Sequence, residues 1–350
     1  MTANSPVRGR MRTRASRGFT LIEMMVGITL GLLVLAVVTT VFVNVSNNRR
    51  DMERTGRQIE NGRFAIQLLA DDIVNAGYFG ELDPNDIGPP PTSPDPCSTS
   101  VGDMRSMVLM HIQGYAAGAV KPSCISDVRT GSAVVAIRRT ATCIAGDTNC
   151  DPAATGQIYL QSTLCNDEVA NPAVVAAMPA SGPPAFPLHK HDCTTVASLR
   201  SYVMHIYFIA NNNDPGDGIP TLKRAELGAN GAFSIVPLVE GIENLQLEYG
   251  LDTDGDSMPD AVSADPGTYN GCAADPCYIA NWLNAVTAKV HLLSRSTSAS
   301  PGYTDTKTYP LGLQADDTQL VVGPFSDGFK RHGYTETIRM HNPAGRREAT

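Results

Sequence analysis

No charged residue interrupts the chain between Met24 and Asn48, and residues 24–43 are apolar apart from small residues and threonines. Twenty helical residues at 1.5 Å each reach about 30 Å, the thickness of a bilayer's hydrocarbon core. The run therefore predicts one transmembrane helix over about residues 24–45, and the rest of the chain is read outward from it.

At 350 residues the chain can bury a sizeable core. Its 31 glycines and 24 prolines point to short strands and long decorated loops rather than a helical bundle. Eight cysteines, at positions 97, 124, 143, 150, 165, 193, 272 and 277, all follow the apolar run. An even number in loop-rich sequence suggests disulfides made outside the cytoplasm. A zinc site would ask for paired CxxC or HxxxH spacings, which the sequence lacks. Eight cysteines allow 105 pairings. Cys143 with Cys150 and Cys272 with Cys277 close the shortest loops.

Five arginines precede the apolar run and five more lie within residues 49–63, so positive charge alone does not orient it. The cysteines do, by placing the large C-terminal part on the oxidising side. Without its first 18 residues the chain carries 22 Lys and Arg against 35 Asp and Glu, a net charge of −13. An acidic body of this kind argues against nucleic-acid partners, which need a basic footprint.

An ordinary secretory signal has a shorter apolar run closed by an A-x-A-like site. A plain signal anchor explains the length but not Glu23, a carboxylate at the edge of an apolar helix. The order Arg17-Gly18-Phe19-Thr20-Leu21-Ile22-Glu23, behind a basic leader, resembles the cleavage motif of type IV prepilins. That resemblance implies a leader over residues 1–18 and cleavage between Gly18 and Phe19 by a prepilin peptidase, with N-methylation of Phe19. It gives Glu23 an assembly role, pairing with the Phe19 amine of a neighbouring subunit. Gly18 lets an extended backbone pass close to a protease. An unpaired buried charge is costly, so pairing at Glu23 would favour subunits in register.

Beyond residue 45 the pattern becomes amphipathic through Ile59, Phe64, Ile66, Leu69 and Ile73, with Gly77 placed to end the helix. Gly56 and Gly62 weaken it locally. Strands are expected at 107–112, 133–138, 202–210, 221–227, 232–238, 242–251, 286–294 and 335–341. Residues 83–100 form a Pro-rich loop, and residues 141–165 and 171–193 read as irregular and disulfide-pinned. The expected fold class is α+β. A pilin-like N-terminal helix over 19–77, half transmembrane and half amphipathic, packs on antiparallel sheet, with a β-rich head over 78–350.

The stretch Val239-Glu240-Gly241-Ile242-Glu243-Asn244-Leu245-Gln246-Leu247-Glu248-Tyr249 is similar to a strand of PilW proteins and of the larger minor pseudopilin of type II secretion. With the N-terminal motif, it identifies a PilW-like minor pilin. The resemblance implies initiation of pilus assembly and a place near the pilus tip, supporting adhesion or twitching motility. Its implied partners are other minor pilins, the major pilin, the inner-membrane assembly platform and a tip adhesin. The implied location is the inner membrane with a periplasmic head, then the cell-surface pilus. A type II secretion pseudopilin and a membrane-anchored binding domain are the alternatives.

Directly after that strand, Asp252, Asp254, Asp256 and Asp260 space their carboxylates as D-x-D-x-D-x3-D, a candidate calcium loop. Ser257 stands where such loops usually carry glycine, and a solvated hairpin turn is the competing reading. His189-Lys190-His191-Asp192-Cys193 gathers nucleophile-capable groups, but a Cys/His pair needs a reduced thiol. No GxSxG, HExxH, Walker or GxGxxG pattern occurs, so an enzyme is not expected.

Overall fold

The computed structural model describes residues 18–181 and 185–348; the basic leader, residues 1–17, lies outside them. The chain divides into two compact units, residues 1–53 and residues 54–350.

The first unit contributes the opening half of helix α1 (Leu21–Val74). It is long and apolar enough to cross a membrane. Every Leu, Ile, Val, Met and Phe from Leu21 to Val45 is exposed. Thr29, Thr39 and Thr40 return their hydroxyls to the carbonyls of Met25, Leu35 and Ala36 at 3.0, 2.8 and 2.9 Å. These bonds satisfy the only side-chain hydroxyls that would enter lipid within residues 24–43.

In the second unit the remainder of α1 lies on antiparallel sheet. Its buried face is Gln58, Gly62, Ala65, Ile66, Leu69, Asp72 and Ile73. Phe64, expected on that face, is 54% exposed instead. Gly62 does more than weaken the helix: a Cβ there would fall 2.1 Å from Cε2 of Tyr334. The missing side chain lets the tyrosine ring lie against the helix and donate its hydroxyl to the Ile59 carbonyl at 3.2 Å. Just past the helix, Gly77 adopts φ +72° and gives its N–H to the Arg138 carbonyl.

After α1 come α2 (Val101–Ser106), β1 (Ile112–Tyr115), β2 (Val134–Thr140), β3 (Ile158–Ser162), β4 (Ala173–Ala177), β5 (Leu199–Ala210), β6 (Thr221–Leu227) and β7 (Phe233–Glu240). The first sheet runs β1-β2-β5-β3-β4, with β6 on β5 and β7 on β6. Then follow β8 (Ile242–Leu251), β9 (Ala261–Ser263), α3 (Cys277–Leu283), β10 (Ala285–Arg295), β11 (Tyr309–Leu313), β12 (Gln319–Val322), β13 (Arg331–Arg339) and α4 (His341–Glu348). The second sheet is ordered β13-β10-β8-β9, and β11 pairs with β12. All pairings among the described strands are antiparallel, so the class is α+β.

One core joins α1 to both sheets, through Ile66, Leu69 and Ile73 with Val135, Ile209, Leu247 and Val290. A second core places Phe79, Met104 and Met107 under β3 and β4.

Three sequence expectations are corrected. Residues 107–109 are a turn after α2, whose N-cap Ser100 accepts from the Asp103 amide, and β1 begins only at Ile112. The segments read as irregular contain β3 and β4. The last strand starts at Arg331 and stops at Arg339, and His341 opens α4. The disulfides are Cys97–Cys124, Cys143–Cys150, Cys165–Cys193 and Cys272–Cys277.

Candidate functional site

Gly18 and Phe19 precede α1 without regular structure. A Cβ on Gly18 would meet nothing within 4 Å, and Phe19 is 90% exposed. Among the described residues nothing packs over either of them.

Thr20 and Glu23 form a capping box at the helix start. The Thr20 amide and hydroxyl donate to Glu23 Oε2 at 3.0 and 2.9 Å, and the Glu23 amide donates to Thr20 Oγ1 at 3.3 Å. The prepilin resemblance implies for Glu23 a role only toward a neighbouring subunit. The Thr-x-x-Glu spacing was the signal for this second, local role. The carboxylate that would meet a neighbour's amine is thus already satisfied within its own chain.

Asp252, directly after β8, is fully buried, and its Oδ1 and Oδ2 accept the amides of Gly255 and Ser257 at 2.6 and 2.9 Å. Burial pushes its carboxyl up, but these amides and Arg347, 3.2 Å away, hold it below the usual range. Asp254 and Asp256 accept the amides of Asp256 and Met258. The three carboxylates place oxygens within 4.8 Å of one another. Asp260 is not among them, because its Oδ2 accepts the amide and hydroxyl of Thr253. Ser257 adopts φ +72°, the left-handed geometry for which glycine is usual, and its buried Oγ has no hydrogen-bond partner. Three of the four acids converge rather than all of them, and Arg347 already serves one of the three.

Cys193, the thiol in the His189–Cys193 cluster, is bonded to Cys165. His189 Nδ1 lies 2.7 Å from Glu168, and Asp192 accepts the amides of Thr194 and Thr195. Cys165, Asp167 and Cys193 also cluster, yet a disulfide offers no thiolate to a metal.

Strand β8 shows why its alternation is imperfect. Its register with β10 passes from Leu293↔Asn244 to Ser294↔Ile242, so Glu243 is a bulge residue. Ile242, Leu245, Leu247 and Tyr249 are all buried. The bulged Glu243 reaches an arginine cluster: Arg331 Nε at 2.5 Å, Arg129 Nη2 at 3.0 Å and Arg295 Nη1 at 3.6 Å. Arg331 also binds Asp305 and Asp327 at 3.0 and 2.7 Å.

Two family models match the chain. Type IV pilus-assembly protein W covers residues 206–342, from within β5 to the start of α4. The prokaryotic N-terminal methylation motif covers residues 13–39, which hold Gly18, Phe19, Thr20 and Glu23. No curated protein and no solved structure matches the chain. The matched families are structural rather than enzymatic.

Proposed function

From a chain that matches a PilW-family type IV pilin, we propose a minor pilin that is cut between Gly18 and Phe19 and helps to initiate the pilus. The observation that carries this reading is the exposed Gly18–Phe19 bond, set before a capped helix whose apolar side chains stay uncovered through Val45. In the membrane that surface lies in lipid; in a filament it would pack against other pilin helices. Cleavage frees a positive amine on Phe19. Glu23 can then exchange its bonds to Thr20 for a neighbour's amine, so leaving the local cap leaves no buried carboxylate unpaired. The partners on this reading are other minor pilins, the major pilin, prepilin peptidase, the inner-membrane assembly platform and a tip adhesin. The head is periplasmic before assembly and stands near the pilus tip after it.

The test is deletion of the gene and return of wild type or Glu23→Ala. Deletion should remove most surface pili and twitching, and Glu23→Ala should restore little, with extracellular enzyme secretion unchanged. Lost secretion with intact pili would replace this reading by the type II secretion one. Intact pili and secretion would leave an anchored binding domain.

The proposal extends to calcium on Asp252, Asp254 and Asp256, supported by their converging oxygens and the unpartnered buried Ser257 Oγ. Calcium added to the EDTA-treated, detergent-solubilised protein should raise Tm, by an amount equivalent to about 2.7 kcal/mol at a hundredfold excess over Kd. Asp254→Asn with Asp256→Asn should abolish the shift. A Tm unmoved by calcium in the wild type would remove the ion from the proposal.

A further inference from the structure

A cavity of about 330 Å³ lies where the segment ahead of β1, the end of α3 and helix α4 meet. Leu109, Leu283 and Pro343 give it apolar walls, and Asn85, Arg346 and Arg347 give it polar ones. That size and mixture fit a small ligand held by a few convergent polar groups.

The two arginines are matched unequally by acids: Asp252 pairs directly with Arg347, whereas Asp83 acts on Arg346 only through its field. Arg347 is held on its outer side: it donates to the carbonyls of Asp252 and Leu283 and to Asn284 Oδ1, and pairs with Asp252. Among the described residues its neighbour Arg346 makes one hydrogen bond, from Nη1 to the Gly77 carbonyl at 3.2 Å. Among the described residues no carboxylate forms an ion pair with Arg346. A guanidinium offers five N–H donors, so this bond past the end of α1 uses a small part of its capacity. His111, which also lines the cavity, adds no charge. Burial first, and the Arg346 charge second, push it down to about 3, and its Nε2 sits 2.8 Å from the Ala285 carbonyl. One guanidinium already paired with Asp252 and one without an ion-pair partner among the described residues thus line a half-apolar cavity, an arrangement that an anion stabilises.

We propose that this cavity binds a carboxylate carried on a small apolar body, with Arg346 as its principal partner. The planar fork of a guanidinium matches a carboxylate in two parallel hydrogen bonds. The apolar walls favour an aliphatic acid over a bare inorganic anion. Two sources share this chemistry: a free small organic acid, and the terminal carboxylate or an acidic side chain of a neighbouring chain. Binding of a free acid is independent of the pilus reading, since it needs no filament contact.

The chain has one tryptophan, Trp282, fully buried in α3 beside the cavity-lining Leu283, which provides an optical probe. Sodium butyrate, titrated against sodium chloride at matched ionic strength into the full chain in detergent, should change Trp282 emission saturably. Because arginine stays charged and His111 stays neutral, affinity should be unchanged between pH 6 and pH 8. Arg346→Gln should weaken butyrate by about tenfold or more, the loss of one charge-assisted contact. Leu109→Phe, which fills the cavity and keeps both guanidiniums, should do the same. Far-UV circular dichroism identifies which variants are folded. An acetylated dipeptide with a free C-terminus that outbinds butyrate and its own amidated form would assign the site to a neighbouring chain. Butyrate binding alone would assign it to a free acid. Identical responses to butyrate and chloride, or wild-type affinity in a folded variant, would overturn the proposal.

Discussion

Glu243→Gln is expected to cost the head about 3–5 kcal/mol, the penalty for removing one partner of a buried charge cluster. Glu243, Arg331 and Asp305 have side chains only 4, 1 and 0% exposed. The cluster balances Arg129, Arg295 and Arg331 against Glu243, Asp305 and Asp327. Burial pushes the Arg331 guanidinium down, but its bonds to Asp327, Glu243 and Asp305 outweigh that and raise it above its ordinary value. Glutamine leaves one positive charge uncompensated there and replaces one of the two acceptor oxygens that tie β8 to the start of β13 with an NH2 donor. Urea denaturation should show a lower midpoint with an unchanged m-value. Arg339→Gln, which breaks an exposed pair with Glu348, should change stability by less than about 0.5 kcal/mol. A loss below about 1 kcal/mol for Glu243→Gln would show that the cluster does not hold the sheet together.

Asp72→Asn should remove a comparable amount and also flatten the acid side of the stability curve. Asp72 lies in the last turn of α1, where the helix dipole disfavours a negative charge. It is tolerated because Arg139 Nε and His205 Nδ1 lie 2.6 Å away and the Tyr207 hydroxyl donates at 2.8 Å. Burial pushes its carboxyl up, yet the His205 and Arg139 contacts win and hold it well below the usual carboxylate range. A depressed folded value means that Asp72 stabilises the fold fully above the unfolded value of about 3.9. That contribution falls away as pH drops from about 5 toward the folded value. The wild type should therefore lose stability over this window faster than Asp72→Asn. Parallel acid limbs for the two proteins would contradict the assignment.

The sequence made the local devices legible. The apolar run, the Gly18–Phe19 motif and strand β8 each announce themselves within a dozen or two residues. The capping box was equally readable from Thr20 and Glu23, but an eye drawn to the intersubunit role passes over it. Strands β3 and β4 escaped because Ile158–Ser162 is buried on both faces and Ala173–Ala177 is short and nearly uniform, so neither shows clear alternation. Residues 107–112 misled because an apolar run reads alike in a strand and in a buried turn, and the cap at Ser100 decided between them. Phe64 misled because a helix can leave a large apolar residue exposed. The tertiary charge clusters left no local trace at all. Glu243 finds Arg331 across 88 positions, and Asp72 finds His205 across 133. Likewise the value of Gly62 exists only once Tyr334 is laid over it.

The central claim is that this chain is a prepilin, and one measurement tests it most directly. It is intact mass with N-terminal sequencing of the protein from cells with and without prepilin peptidase. The expected result is a chain beginning at methylated Phe19 when the peptidase is present, and the uncut Met1 form when it is absent. An uncut chain in both strains would contradict it.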